Sequence, residues 1–144
     1  MRGIKIIGAR KANPRRSLHA VDRDRGCRRQ LGVLHTTADL DDPARQVEED
    51  YRFHRLIFEI ADNRRLLRLF DDLSAELRMI IGLIGRLYDD PHRIAQTHEA
   101  VLEAIEAGDG ERITAQLDFH IRVAWREVAK LVREIPTSTN GAAS

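Results

Sequence analysis

Cysteine is almost missing from this chain of 144 residues, and the single Cys27 excludes an internal disulfide. That scarcity fits a reducing cytoplasm. Aromatic residues make up only 5%, so Leu, Ile, Val and Ala must supply most of any core. No apolar run approaches the roughly 20 residues needed to span a bilayer, and no secretory hydrophobic segment follows Met1. The alternating pattern of a half-buried strand is also lacking from Asp41 onward. These absences leave a soluble, cytoplasmic, all-α protein with no membrane partner as the expectation, of a size suited to one modest core.

Charge is present but unevenly placed. Residues 1–36 hold ten Lys/Arg against two acids, a net of +8, whereas the remainder holds 14 bases against 21 acids, a net of −7. A basic segment can attract phosphates, and it can equally be a disordered or non-native leader. Residues 11–29 show no sustained helical periodicity, Pro14 interrupts them, and no aromatic side chain offers a base a stacking surface. No helix-turn-helix pattern is visible. Residues 1–40 are therefore expected to form a basic, irregular N-terminal arm.

From Asp41 the pattern becomes regular. Asp42-Pro43 reads as an N-cap followed by proline at the first helical position, opening a helix to about Asp62 with Val47, Tyr51, His54, Phe58 and Ala61 on one face. Asn63 is a cap or a left-handed break. A second helix is expected over about 64–88, with Leu66, Phe70, Leu73, Leu77, Ile80, Ile84 and Leu87 turned inward. Asp90-Pro91 opens a third, with Ile94, His98, Val101, Leu102 and Ile105 inward, and Gly108 stops it. Asp109 caps a fourth that runs through Ile113, Leu117, His120, Ala124, Val128 and Leu131 to about Ile135, where Pro136 ends it. The expected architecture is an antiparallel bundle of about four helices over 41–136, followed by a flexible tail over 137–144.

Four polar residues interrupt these apolar faces. Asp50 and His54 lie one helical turn apart and leave the same side of one helix; His98 and His120 each sit on a further helix. A lone histidine on an apolar face is most often a hydrogen-bonded core residue, and an i, i+4 Asp–His pair can be a surface salt link. Three such histidines with a carboxylate beside the first favour a divalent metal site. His92, in the first turn after Pro91, reads as solvated, and His19 and His35 carry no role.

These residues resemble a known family. Asp50-Tyr-Arg-Phe-His54 and the Asn63 that follows it are similar to the D-x-x-F-H signature of the FCD domain, the C-terminal effector domain of FadR-type GntR transcription regulators. His98-Glu-Ala-Val-Leu-Glu-Ala-Ile-Glu-Ala-Gly108-Asp109, with His120-Ile121 further on, resembles the family's H-x-x-I-x-x-A-I-x-x-G-D and H-I pattern, with Val101 at the Ile position. The resemblance covers about 42–133. It implies a helical effector-binding domain in which Asp50, His54, His98 and His120 hold a divalent transition metal. Zinc is the first expectation, and nickel, manganese, iron and cobalt suit the same donors. The effector it implies is a small organic acid such as a sugar acid, hydroxy acid or dicarboxylate, coordinated at an open metal position.

Arg78 shares a track with Leu67, Asp71, Ser74 and Ile81. It is a second carboxylate anchor or an arginine snorkelling from a helix flank. DNA contact in this family is made by a winged helix-turn-helix, which residues 1–40 do not resemble; nor do they resemble the two Glu/Leu/Ala-rich helices that open the domain. A truncated or frame-altered regulator is the resulting expectation, with uncovered apolar surface that favours a homodimer. The rival readings are a metal-dependent hydrolase, for which no further inward acid or base is evident, and a plain helical interaction module without metal.

Overall fold

The computed structural model describes residues 14–40, 42–88 and 90–134, with side chains described over 25–40, 42–88, 90–130 and at 133. The tail expected over 137–144 lies outside these residues, as does the segment 1–13. Six helices follow in order: α1 Pro14–Ala38, α2 Pro43–Ile60, α3 Arg64–Asp72, α4 Ser74–Gly85, α5 His92–Glu106 and α6 Gly110–Glu134. The all-α class expected from the sequence is the one observed, and no strand occurs among the described residues. Helix neighbours close a ring, α1 to α2, α2 to α4, α4 to α6, α6 to α5 and α5 back to α1, while α3 packs on α2 and α4.

Two expectations are corrected. Residues 14–38 are not irregular: they form the 25-residue helix α1. Pro14 is its first residue, where a missing N–H costs nothing, so it opens the helix instead of breaking it. Cys27, Leu31 and Leu34, spaced by four and three, make an apolar stripe that packs with Phe53, Ile94, Ala95 and Leu102 in one buried cluster. Thr37, also buried, returns its hydroxyl to the Leu34 carbonyl at 2.9 Å. The second correction is a break at Leu73 (φ −93°, ψ 15°), which divides the expected helix 64–88 into α3 and α4. The break lets Phe70 of α3 pack against Tyr51 and Phe58 of α2, at ring-centroid distances of 5.1 and 4.5 Å, while α4 turns to reach α6.

Helix ends follow local chemistry closely. Asp42 accepts from the Arg45 N–H at 3.0 Å, and Asn63 accepts from Arg65 and Leu66 at 3.1 and 3.2 Å. Asp109 accepts from Glu111 and Arg112 at 3.1 and 3.0 Å. Gly108 stops α5 at φ +65°, a backbone region open to glycine at no steric cost. The left-handed residue between α2 and α3 is Asp62 (φ 51°), and Asn63 is the cap. Among the described residues no helix is long and apolar enough to cross a membrane.

Candidate metal centre and effector cavity

The ring of helices brings Asp50, His54, His98 and His120 to one place. Asp50 and His54 come from α2, His98 from α5 and His120 from α6. His54 Nε2 lies 3.4 Å from Asp50 Oδ1, and His98 Nε2 lies 3.1 Å from the same oxygen. The two Nε2 atoms are 3.2 Å apart. The His120 ring packs at centroid distances of 5.3 Å from His54 and 4.6 Å from His98. One nitrogen from each of the three histidines falls within 4.8 Å of the others, close enough to share one metal ion.

The protonation pattern follows from the neighbours. His98 is only 2% exposed, and its Nδ1 sits 2.6 Å from the Ile94 carbonyl oxygen one turn earlier. A carbonyl only accepts, so Nδ1 carries the hydrogen and Nε2 of the neutral ring presents a lone pair. That lone pair faces the Asp50 carboxylate and the His54 nitrogen. Asp50 Oδ1 is buried and receives no hydrogen bond, the one such side-chain atom among the described residues. An acceptor-rich pocket of this kind calls for a cation or an extra proton to make burial tolerable.

Burial decides against the proton on two of the rings. Desolvation pushes His54 down to about 4, with the Asp50 carboxylate pulling upward and His98 adding to the depression. His120 is pushed down to about 3, again mainly by burial, then by the His98 and His54 rings. Burial alone would raise the Asp50 carboxyl; the attraction of His98, aided by His54 and His120, outweighs it and holds the group below its ordinary value. At neutral pH the site therefore offers a carboxylate on Asp50 and neutral imidazoles on His54 and His120, the forms in which these side chains bind metals. The donors fit a divalent transition ion. Phe53, on the residue before His54, closes the floor edge-on to His98 at 4.8 Å and 68°.

A cavity of about 400 Å³ adjoins the four residues. Apart from them and Thr97 its described walls are mostly aliphatic and aromatic, with Ile80, Ile81 and Ile84 from α4 and Val123, Ala124 and Val128 from α6. Phe119, Ile121 and Trp125 also line it, although Trp125 is 70% exposed, so they stand at its mouth. Inward positions on α6 read from the sequence included Ala124 and Val128 but passed over Trp125.

Arg78 does not join this site. Its Nε and second terminal nitrogen donate to the two Glu48 oxygens at 2.7 and 3.2 Å, its other nitrogen donates to the Ser74 carbonyl at 3.1 Å, and its guanidinium carbon lies 3.7 Å from the Tyr51 ring centroid. Glu48, half-buried on α2 and 30 residues away in sequence, satisfies the fork that a carboxylate ligand would need. His92 meets Asp39 at 3.2 Å and His35 meets Glu99 at 3.1 Å, both away from the centre.

The family model of the FCD domain matches residues 9–123, well over half of the chain. The chain belongs to the FCD domain family, the regulatory effector-binding domains of GntR-type transcription regulators. The match begins at residue 9, so it takes in α1, which the sequence reading set outside the effector domain. No curated protein and no solved structure gives a significant match.

Proposed function

We propose that the chain is a metal-dependent sensor of small carboxylates within a GntR-type regulatory system, with Asp50, His54, His98 and His120 as the metal ligands. The observation that carries this reading is the meeting of His98 Nε2, His54 Nε2 and the orphaned Asp50 Oδ1 within 3.1–3.4 Å of one another. With the His54 hydrogen on Nδ1, three electron pairs would face one spot, and a bound cation would satisfy all of them. Zinc is the favoured ion for this donor set, with nickel, manganese, iron and cobalt as the other members of the class. When bound, the ion supplies a positive centre with room for an effector carboxylate on the cavity side. The protein's part is to orient the ligands: the Ile94 carbonyl sets the His98 tautomer, and Phe53 fixes the ring plane.

An effector alters DNA affinity only if it binds one conformation better than another. The DNA partner is reached through a winged helix-turn-helix of the regulator, and the site of action is the cytoplasm. A homodimer is the expected assembly, because Met79, Phe119 and Trp125 leave broad apolar surface on α4 and α6. Metal analysis of the purified protein, followed by melting with and without a chelator, tests the reading. A filled site is expected to raise stability by about 4 kcal/mol at a free metal concentration a thousandfold above Kd. Absence of bound metal together with indifference to chelator overturns it.

A further inference from the structure

The cavity beside the four ligands is polar at one end only. Among its described lining residues outside Asp50 and the three histidines, Thr97, Tyr88 and Trp125, the last at the mouth, carry polar groups, and Thr97 already donates its hydroxyl hydrogen to the Ile94 carbonyl at 2.7 Å. Among the described residues no Lys or Arg lines it. Arg78, the nearest thing to a second cation in the sequence, is closed onto Glu48 and Tyr51. Ile80, Ile81, Ile84, Leu77 and Val128 make the remaining wall aliphatic. At about 400 Å³ the space exceeds what an acetate-sized anion fills and falls within the range of small-molecule pockets.

A second carboxylate placed along these walls would lose its water and meet no counter-charge among the described residues, and a string of hydroxyls would find only the Tyr88 phenol and the Trp125 indole N–H at the mouth. We infer that the effector is a monocarboxylate with an aliphatic or aromatic tail, its carboxylate at the ligand cluster and its tail along the α4–α6 wall. The same wall disfavours dicarboxylates and sugar acids. This rests on the metal-sensor reading above, which supplies the anchor, but the selectivity belongs to the apolar residues.

The test uses the full chain loaded with zinc and titrated calorimetrically at pH 7 with butanoate, hexanoate and octanoate, then with succinate, adipate and gluconate. Each added methylene in the monocarboxylate series is expected to tighten Kd about three- to fourfold until the cavity is full. Adipate is expected to bind at least about tenfold more weakly than hexanoate. Succinate or gluconate binding more tightly than butanoate and hexanoate overturns the inference, as does a flat series. A zinc titration without carboxylate separates the two readings: zinc binding with the wrong carboxylate order removes the tail preference alone, whereas failure to bind zinc removes the anchor and the inference together. Octanoate binding equally well to His98→Ala would mark mere adsorption to apolar surface and also overturn it. Ile80→Arg, at an already half-exposed wall position, is expected to strengthen adipate binding and weaken hexanoate binding.

Discussion

The two sides of the helical ring are built to different standards of closure. Where α1, α2 and α5 meet, Cys27, Leu34, Phe53 and Ala95 have no exposed surface at all. Where α4 and α6 meet, Met79 is 60% exposed and Phe119 63%, and the cavity opens between them. The metal-ligand candidates straddle this seam. Asp50 and His98 are set into the closed side, with His98 held by a backbone carbonyl, whereas His120 rides on the open side. A centre with fixed ligands on one wall and a looser ligand on the other is suited to transmitting occupancy as a movement of α6, because packed cores resist small shifts and open faces do not.

Substitutions can break this contrast or sharpen it. Phe53→Ala, on the closed side, is expected to cost about 3–5 kcal/mol in urea unfolding, since the fully buried ring leaves a hole beneath His98. A loss under 1 kcal/mol would mean that this side collapses as easily as the other. His98→Ala is expected to weaken metal binding by more than the roughly 10–100-fold that an outer partner is worth. His120→Ala should weaken it less, because the closed-side pair keeps its arrangement. Equal losses in competition titrations would show that both walls hold the ion alike.

Acid should act on the metal-free protein in one direction. His54 and His120 hold folded values of about 4 and 3, below the ordinary 6.5, so between those limits the unfolded chain takes up protons that the folded chain refuses. Stability is therefore expected to fall as pH drops from 6.5 toward 4. The depressed Asp50 carboxyl adds to the loss at still lower pH, as it is protonated. Urea midpoints of chelator-treated protein at pH 7.5, 6 and 5 check this, and a midpoint that rises on acidification would contradict the burial of these rings. Smallest is Trp125→Ala, expected to change stability by no more than about 0.5 kcal/mol because the ring is mostly exposed. The same change should shift the sedimentation of the protein toward smaller species if α6 forms part of a contact between copies.

Local signals were read well in the sequence because their physics is local. The Asp42-Pro43 start, the Gly108 stop and the Asp109 cap involve residues two to four apart; the two aspartates form the hydrogen bonds their side chains suggest, and Gly108 takes the positive φ that glycine allows. The i, i+4 placement of Asp50 and His54 is of the same kind. Helix α1 escaped notice because its first half is rich in arginine, and the stripe of Cys27, Leu31 and Leu34 gains meaning only against Phe53 and Leu102. The break at Leu73 has no Pro or Gly to announce it. It follows from where α2 and α6 stand. Which of its two readings Arg78 follows was open for a similar reason: a guanidinium goes to whichever carboxylate folding brings near, and Glu48 is 30 residues away.

Periodicity, caps and family motif were enough to establish an all-α effector domain and to pick out the four polar residues that the bundle brings together, because turns and helical faces are written in neighbouring side chains. Distance across the bundle was not written there. It took the closing of the ring to bring Asp50 Oδ1 to 3.1 Å from His98, to turn Arg78 away, and to line the space beside them with isoleucine. Such choices depend on which helices pack together, and packing is a property of the whole chain.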